Sequence, residues 1–198
     1  MSRAADHGDS TGQPGALKDR TALVTGATQG LGLEIARAYL QAGARGICVC
    51  GRDEGALERA VSELQAQAGA GQQVMGEPAD VSDPDDVQRL VARALAELGE
   101  ITILVSNAGV QGATGSVERA DWSEWVKTIE INLLGSVLLA RAVVAHMRER
   151  GYGKIVQISG GGATAPMPGL SAYAASKAAV VRFAETLAQE LRDDQVDV

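Results

Sequence analysis

Aromatic residues make up only 3% of the 198-residue chain, with a single phenylalanine among them. A core without large rings has to come from Ala, Val, Leu and Ile, which suits helices packed on a parallel sheet. Positive charge is also in the minority: 18 Lys and Arg face 25 Asp and Glu, a formal net charge of -7. Such a chain repels a phosphate backbone, and its arginines are scattered, so nucleic acid is not an expected partner. Cysteine is nearly absent. Cys48 and Cys50 stand two apart in an apolar run, so both point to one sheet face and read as buried small hydrophobes, not as a disulfide or metal pair. No window reaches the roughly 18 uncharged apolar residues of a membrane span, and no basic-then-apolar signal pattern opens the chain. A cytoplasmic protein without a membrane partner is the expectation.

What is present is a regular alternation. Residues 1–17, rich in Gly, Ser, Asp and Pro without an apolar period, are expected to be a disordered leader, and residues 18–198 one domain. Thr21-Ala22-Leu23-Val24 reads as a buried strand, followed by a glycine-rich turn and a helical pattern from Leu33 to Leu40. Ile47 to Cys50 is a second strand, which completes a βαβ unit with parallel strands. The pattern continues with a helix over 54–67, a weaker strand over 73–76, and a helix opened by Ser82-Asp83-Pro84 that runs to Leu98. A fourth strand spans 101–105, one long helix 122–150, a fifth strand 155–158 and a last helix about 171–191, before Val196-Asp197-Val198 opens a sixth strand. The fold class is α/β: a doubly wound parallel sheet in three layers, with its last strand incomplete.

In such a sheet ligands bind beyond the carboxyl ends of the strands. The turn Gly26-x-x-x-Gly30-x-Gly32 lies at one such end, where glycines let the backbone approach a pyrophosphate at the positive N-terminus of the next helix. About 20 residues on, the second strand ends in Gly51-Arg52-Asp53. Gly51 offers no carboxylate and Arg52 can grip a phosphate with two donors, so NADP is preferred, while Asp53 keeps NAD possible. A surface pair of Arg52 with Glu58 or Glu63 is the plainer alternative. In the last helix Tyr173 and Lys177 stand four residues apart and share a face; an ammonium beside a phenol favours the phenolate, which makes the pair a candidate general acid/base, with an ordinary helix surface pair as the plainer alternative.

Thr25-Gly26-x-x-x-Gly30-x-Gly32, Asn107-Ala108-Gly109, Asn132 inside the long helix and Tyr173-x-x-x-Lys177, in this order, resemble the short-chain dehydrogenase/reductase family. The resemblance implies a Rossmann-like fold. It also implies an oxidoreductase that interconverts a small-molecule carbonyl and a secondary alcohol, and homodimers or homotetramers formed through the 122–150 and 172–191 helices. By the same resemblance Tyr173 is the general acid/base, Lys177 lowers its pKa and holds the nicotinamide ribose, and Asn132 steadies a water in the proton relay. Thr25, Gly26, Thr28, Gln29, Gly30, Leu31 and Gly32 form the phosphate turn. Asp80 and Val81 meet the adenine, and Asn107, Ala108 and Gly109 close the cofactor floor.

Two departures from the family pattern stand out. The serine expected thirteen residues before the tyrosine falls on Gly160, so Ser159, or else Ser171, is assigned to hold the substrate oxygen. The family continues some 50 residues further, through a substrate lid and a last strand, so a fragment or a degenerate relative is expected here. A catalytically silent nucleotide-binding or interaction protein is therefore the alternative function; a sugar-nucleotide epimerase would want a larger substrate domain. The small apolar loop 163–169 points to a nonpolar substrate.

Overall fold

The computed structural model describes residues 15–198. Of the leader expected over 1–17, residues 1–14 lie outside the described residues; residues 15–17 form a turn in which the Leu17 N–H donates to Ala42 O (2.9 Å). Six strands, β1 (Thr21–Thr25), β2 (Gly46–Gly51), β3 (Gln73–Pro78), β4 (Ile103–Ser106), β5 (Gly153–Gln157) and β6 (Val196–Asp197), form one sheet in the order β3-β2-β1-β4-β5-β6. All pairs are parallel, and the order reverses between β1 and β4. This is the doubly wound, Rossmann-like arrangement, whose crevice opens at that reversal.

Six helices cover the sheet: α1 (Gly30–Gln41), α2 (Glu54–Gln67), α3 (Pro84–Leu98), α4 (Trp122–Ile129), α5 (Gly135–Arg150) and α6 (Ser171–Glu190). On one face, Val24, Ile47, Val49 and Val105 pack against α1 and α2 through Ala36, Leu40, Leu57 and Leu64. On the other, Leu23, Cys48, Leu104 and Ile155 meet α3, α5 and α6 through Leu90, Ala94, Leu139, Met147 and Leu187. The strands thus read as continuous apolar runs because both faces are covered. Cys48 and Cys50 are free and buried in the second of these clusters. Burial, the largest cause for each, raises both thiols, Cys50 to about 12, with Glu77 adding to the rise at Cys48, so both are protonated thiols at neutral pH.

The structure alters several expected boundaries. The first helix begins at Gly30, inside the glycine turn, and the fourth and fifth strands shift to 103–106 and 153–157. The helix over 122–150 is not uniformly α-helical: Glu130–Leu134 forms a π-turn that holds the buried Asn132. This long stretch also corrects the expectation about membrane spans, because by length and composition it is apolar enough to cross a membrane. Glu130 and Arg141 break it into shorter uncharged runs, which is why a search for an uncharged stretch passes over it. Its apolar side chains Ile131, Leu139, Ala140, Val143 and Met147 lie in the core beneath the sheet.

Candidate active site

The reversal between β1 and β4 is fixed by two side chains. Thr25 Oγ1 accepts from the backbone N–H of Asn107 (3.1 Å) and of Ala108 (3.2 Å), and the Asn107 amide donates to Thr25 O (2.9 Å) and Gly26 O (3.0 Å). The ends of β1 and β4 are thereby tied together, and Asn107 acts as a spacer under the glycine turn. Two of its glycines have no room for a side chain. A Cβ on Gly32 would lie 2.5 Å from Asn107 Nδ2 and 2.6 Å from Gly26 O, and one on Gly26 would lie 2.8 Å from Ala108 Cα. Gly30 is required for a different reason: its surroundings are open but its φ is +58°.

The start of α1 suits an anion. Helices α2, α3 and α4 are each capped by an aspartate, Asp53, Asp83 and Asp121, whose side chains accept from the first-turn amides. At α1 the cap position is Gln29, its side chain makes no capping bond, and no acidic residue stands in the first turn. The free N–H groups there carry the positive end of the helix dipole and face the open space beside Gly30.

A cleft of about 310 Å³ runs from this turn across the ends of β2 and β3, lined by Gly26, Thr28, Gln29, Arg52, Asp80 and Val81. Thr28 fills the space that a side chain at residue 51 would take, since a Cβ on Gly51 would lie 2.4 Å from Thr28 Cγ2. Asp53 also lines the cleft, but one of its carboxylate oxygens is engaged by the Ala56 N–H at 2.6 Å. Arg52 is largely exposed and pairs with neither Glu58 nor Glu63. Glu63 is taken by Arg37, and the carboxylate near Arg52 is Asp80, 3.9 Å away. Partial burial of Asp80 works against its charge, yet hydrogen bonds from the Ser82 side chain and backbone, with Lys127 and Arg52 nearby, hold its carboxyl below the usual range.

A second cleft, about 600 Å³, holds Tyr173 and Lys177 together with Leu31, Gln111, Ile158, Ser159, Met167 and Leu170. Asn107, Gly109 and Val110 line both clefts, so the two form one groove over a shared floor. The Lys177 ammonium donates to Ile158 O (2.8 Å), 5.9 Å from the Tyr173 ring centre. Desolvation lowers its pKa below that of a free lysine. Val110 and Gln111 escaped the sequence reading, although the adjacent Asn107-Ala108-Gly109 motif marks where they lie.

Asn132 is fully buried. Its Oδ1 accepts from the Val110 N–H (2.8 Å), and its Nδ2 donates to Val110 O (2.9 Å) and to Ser176 Oγ (3.0 Å). With its side chain so engaged, Asn132 joins the floor of the groove to α6. The residue facing the Tyr173 hydroxyl is Gly160: a Cβ there would lie 2.4 Å from the phenol oxygen. Ser159 lines the same cleft, but its hydroxyl turns toward Lys177 O (3.3 Å). Ser171 Oγ accepts from the Trp125 indole (3.0 Å), at the other side of the first turn of α6. The three glycines 160–162 have distinct roles, since a Cβ on Gly162 would lie 2.6 Å from Ala174 Cα whereas one on Gly161 would meet nothing within 4 Å.

Fold and groove together define a doubly wound α/β protein with a Tyr–Lys pair at one end of its cleft. The family model for short chain dehydrogenases matches residues 20–198, and the chain belongs to that family. It is 40% identical over 182 residues to human dehydrogenase/reductase SDR family member 4, covering 92% of this chain and 64% of that protein. To rat dehydrogenase/reductase SDR family member 7B it is 37% identical over 186 residues, covering 92% of this chain and 56% of the relative. The chain thus spans less than two thirds of the length of these relatives. Among solved structures, an actinorhodin polyketide ketoreductase with NADPH superimposes with a TM-score of 0.86 at 35% identity, over 91% of this chain and 68% of that one. An NAD+-bound xylitol dehydrogenase gives a TM-score of 0.86 at 28% identity, over 92% and 68%.

Proposed function

We propose that residues 18–198 form a dinucleotide-binding and catalytic unit that prefers NADP and interconverts an uncharged carbonyl compound with its secondary alcohol. The observation that carries this reading is the shared floor: Asn107, Gly109 and Val110 connect a cleft open to an anion at α1 with a cleft holding Tyr173 and Lys177. A dinucleotide would be held by the Gly30–Gly32 turn at its pyrophosphate, by Asp80 and Val81 at its adenosine and by the Tyr173 end of the groove at its nicotinamide. The uncapped start of α1 and the close-packed glycines fit that ligand. The bound cofactor supplies or takes up hydride.

This chain's own residues handle the proton. As the substrate carbonyl accepts hydride at carbon, the Tyr173 phenol gives its proton to the oxygen, forming the alcohol; oxidation runs the same transfer backward. The buried Lys177 places a cation beside the phenol and toward the nicotinamide ribose. Gly160 offers no hydroxyl to the substrate oxygen, so proton donation falls on Tyr173, with Ser159 the nearest hydroxyl in sequence. The walls Leu31, Val110, Ile158, Met167 and Leu170 suit an uncharged, apolar substrate. The same Gly160 favours a second reading, a silent cofactor-binding protein, which predicts dinucleotide affinity without turnover.

Arg52 tests the cofactor preference. Loss of a charge-assisted pair with the 2′-phosphate costs about 1.5–3 kcal/mol. Arg52→Ala is therefore expected to weaken NADPH binding by roughly 10- to 100-fold while leaving NADH nearly unchanged, read by fluorescence titration. Equal losses for both nucleotides would reject the assignment.

For assembly, Trp122 is 71% exposed and Leu134 47% exposed on the 122–150 helical stretch. These support self-association through that stretch; a homodimer or homotetramer that also uses the helix over 172–191, and a cytoplasmic location, are part of the proposal. Sedimentation should give a dimer or larger at micromolar concentration, and a monomer alone would contradict it.

A further inference from the structure

We infer that Ser176 is a positioning residue, locking the Tyr173 turn of α6 to the floor on which the nicotinamide lies. It stands at an unspecified position inside Tyr173-x-x-x-Lys177, and its side chain does not line the groove. Yet it is 0% exposed, and its hydroxyl makes two hydrogen bonds: it donates to Tyr173 O (2.7 Å) and accepts from Asn132 Nδ2 (3.0 Å). The second proton of that amide goes to Val110 O, while the Asn132 Oδ1 holds the Val110 N–H. One unbroken chain of hydrogen bonds, fully buried at its Asn132–Ser176 link and partly buried elsewhere, therefore runs from the tyrosine's own carbonyl, through Ser176 and Asn132, to the backbone of the groove floor.

The neighbours of this chain are the parts that must be held in register. Gly109 lies between its two ends: a Cβ there would be 3.2 Å from Asn132 Oδ1 and 3.4 Å from Lys177 Nζ. Asn132 can reach Val110 because the π-turn carries it out of α-helical phase, and Ser136 Oγ occupies the Asn132 carbonyl (2.9 Å). An alanine at 176 removes the only side-chain acceptor that ties Asn132 to α6. It leaves one buried amide proton without a partner, and Asn132 is then free to rotate, taking Val110 with it. The shared floor loosens at Val110, whereas the far end of the first cleft, where Thr28, Arg52 and Asp80 stand, takes no part in this hydrogen-bonded chain and is expected to keep its shape.

This inference rests on the dinucleotide reading of the groove, and half-site binding tests it without requiring turnover. The probes are adenosine 2′,5′-bisphosphate, which fills only the adenosine end, and NADPH, which fills the groove; both are titrated against the parent and Ser176→Ala. The expected result is a bisphosphate Kd within twofold of the parent. NADPH affinity should fall at least fivefold, with a reduced enhancement of nicotinamide fluorescence. If both probes weaken by the same factor, or neither weakens, the positioning role is overturned. A parent that binds neither NADPH nor NADH refutes the dinucleotide reading itself, a separate and recognisable outcome. Should Ser176→Ala fail to fold, Ser176→Cys keeps the size while weakening the hydrogen bonds. The same selective loss of NADPH is then expected, and equal effects on both probes overturn the inference.

Discussion

Replacing Tyr173 by Phe is expected to reduce turnover by about 10²- to 10⁴-fold, the usual contribution of a positioned general acid. The Kd for NADPH should stay within about threefold. The two effects separate because the phenol oxygen is the only atom removed. The ring keeps its place beside Lys177, whose ammonium remains fixed by Ile158 O at 2.8 Å. The floor from Asn107 to Val110 is held by Thr25 and Asn132, neither of which touches the phenol. Equal turnover by the parent and the variant would remove Tyr173 from the mechanism. A variant that lost cofactor binding as well would show the tyrosine acting as part of the floor.

The second large effect is expected at Gly32. Its missing side chain is met by Asn107 Nδ2 at 2.5 Å, Gly26 O at 2.6 Å and Ala27 Cα at 3.0 Å. Two of these three are backbone atoms of the turn and cannot swing aside. Gly32→Ala therefore pushes α1 away from the turn or displaces Asn107 from Thr25 O and Gly26 O. Overpacking of this kind costs roughly 1–3 kcal/mol, and the amide that ties β1 to β4 is lost with it. Thermal melting should show a drop of several degrees, and NADPH affinity should fall by at least tenfold. Gly30→Ala differs in kind, since the space there is open and only the φ of +58° resists a side chain. If Gly32→Ala melted and bound like the parent, the close packing described here would be wrong.

Much of this was legible in the sequence, because the fold is written in alternation. Apolar runs of four or five residues at 21–24, 47–50 and 101–105 mark strands buried on both faces, the last of them displaced to 103–106, and the glycines and asparagines at their carboxyl ends mark the crevice. The Tyr173 and Lys177 spacing needed only a helix to become a shared face. The π-turn at 130–134 was not legible. One extra residue in a helical turn changes the phase of every side chain after it and leaves no mark in composition, so the anchoring of Val110 by Asn132 could not be read.

Loop orientation was hidden for a related reason. Ser159 and Gly160 are neighbours in extended backbone, so their side positions point apart. One faces the Lys177 carbonyl and the other the phenol, and an assignment that is one residue out changes the chemistry. Asp80 was not legible as the carboxylate beside Arg52 because it is 28 residues away in sequence and is brought close by the pairing of β2 with β3. Ser176 gave no signal, as a serine in a helix is ordinary until its hydroxyl is seen to have two partners.

The central claim is that the groove holds a nicotinamide dinucleotide for hydride transfer, with the proton passing through Tyr173. The most direct measurement follows the hydride. The protein is incubated with NADPH deuterated at C4 on each face in turn, together with a panel of uncharged ketones, and the products are analysed by mass spectrometry. The account predicts an alcohol carrying one deuterium on its carbinol carbon, from one face of the cofactor only, formed at least about a hundredfold more slowly by Tyr173→Phe. Tight binding of NADPH with no deuterium delivered to any ketone would contradict it and leave the silent cofactor-binding protein as the better description.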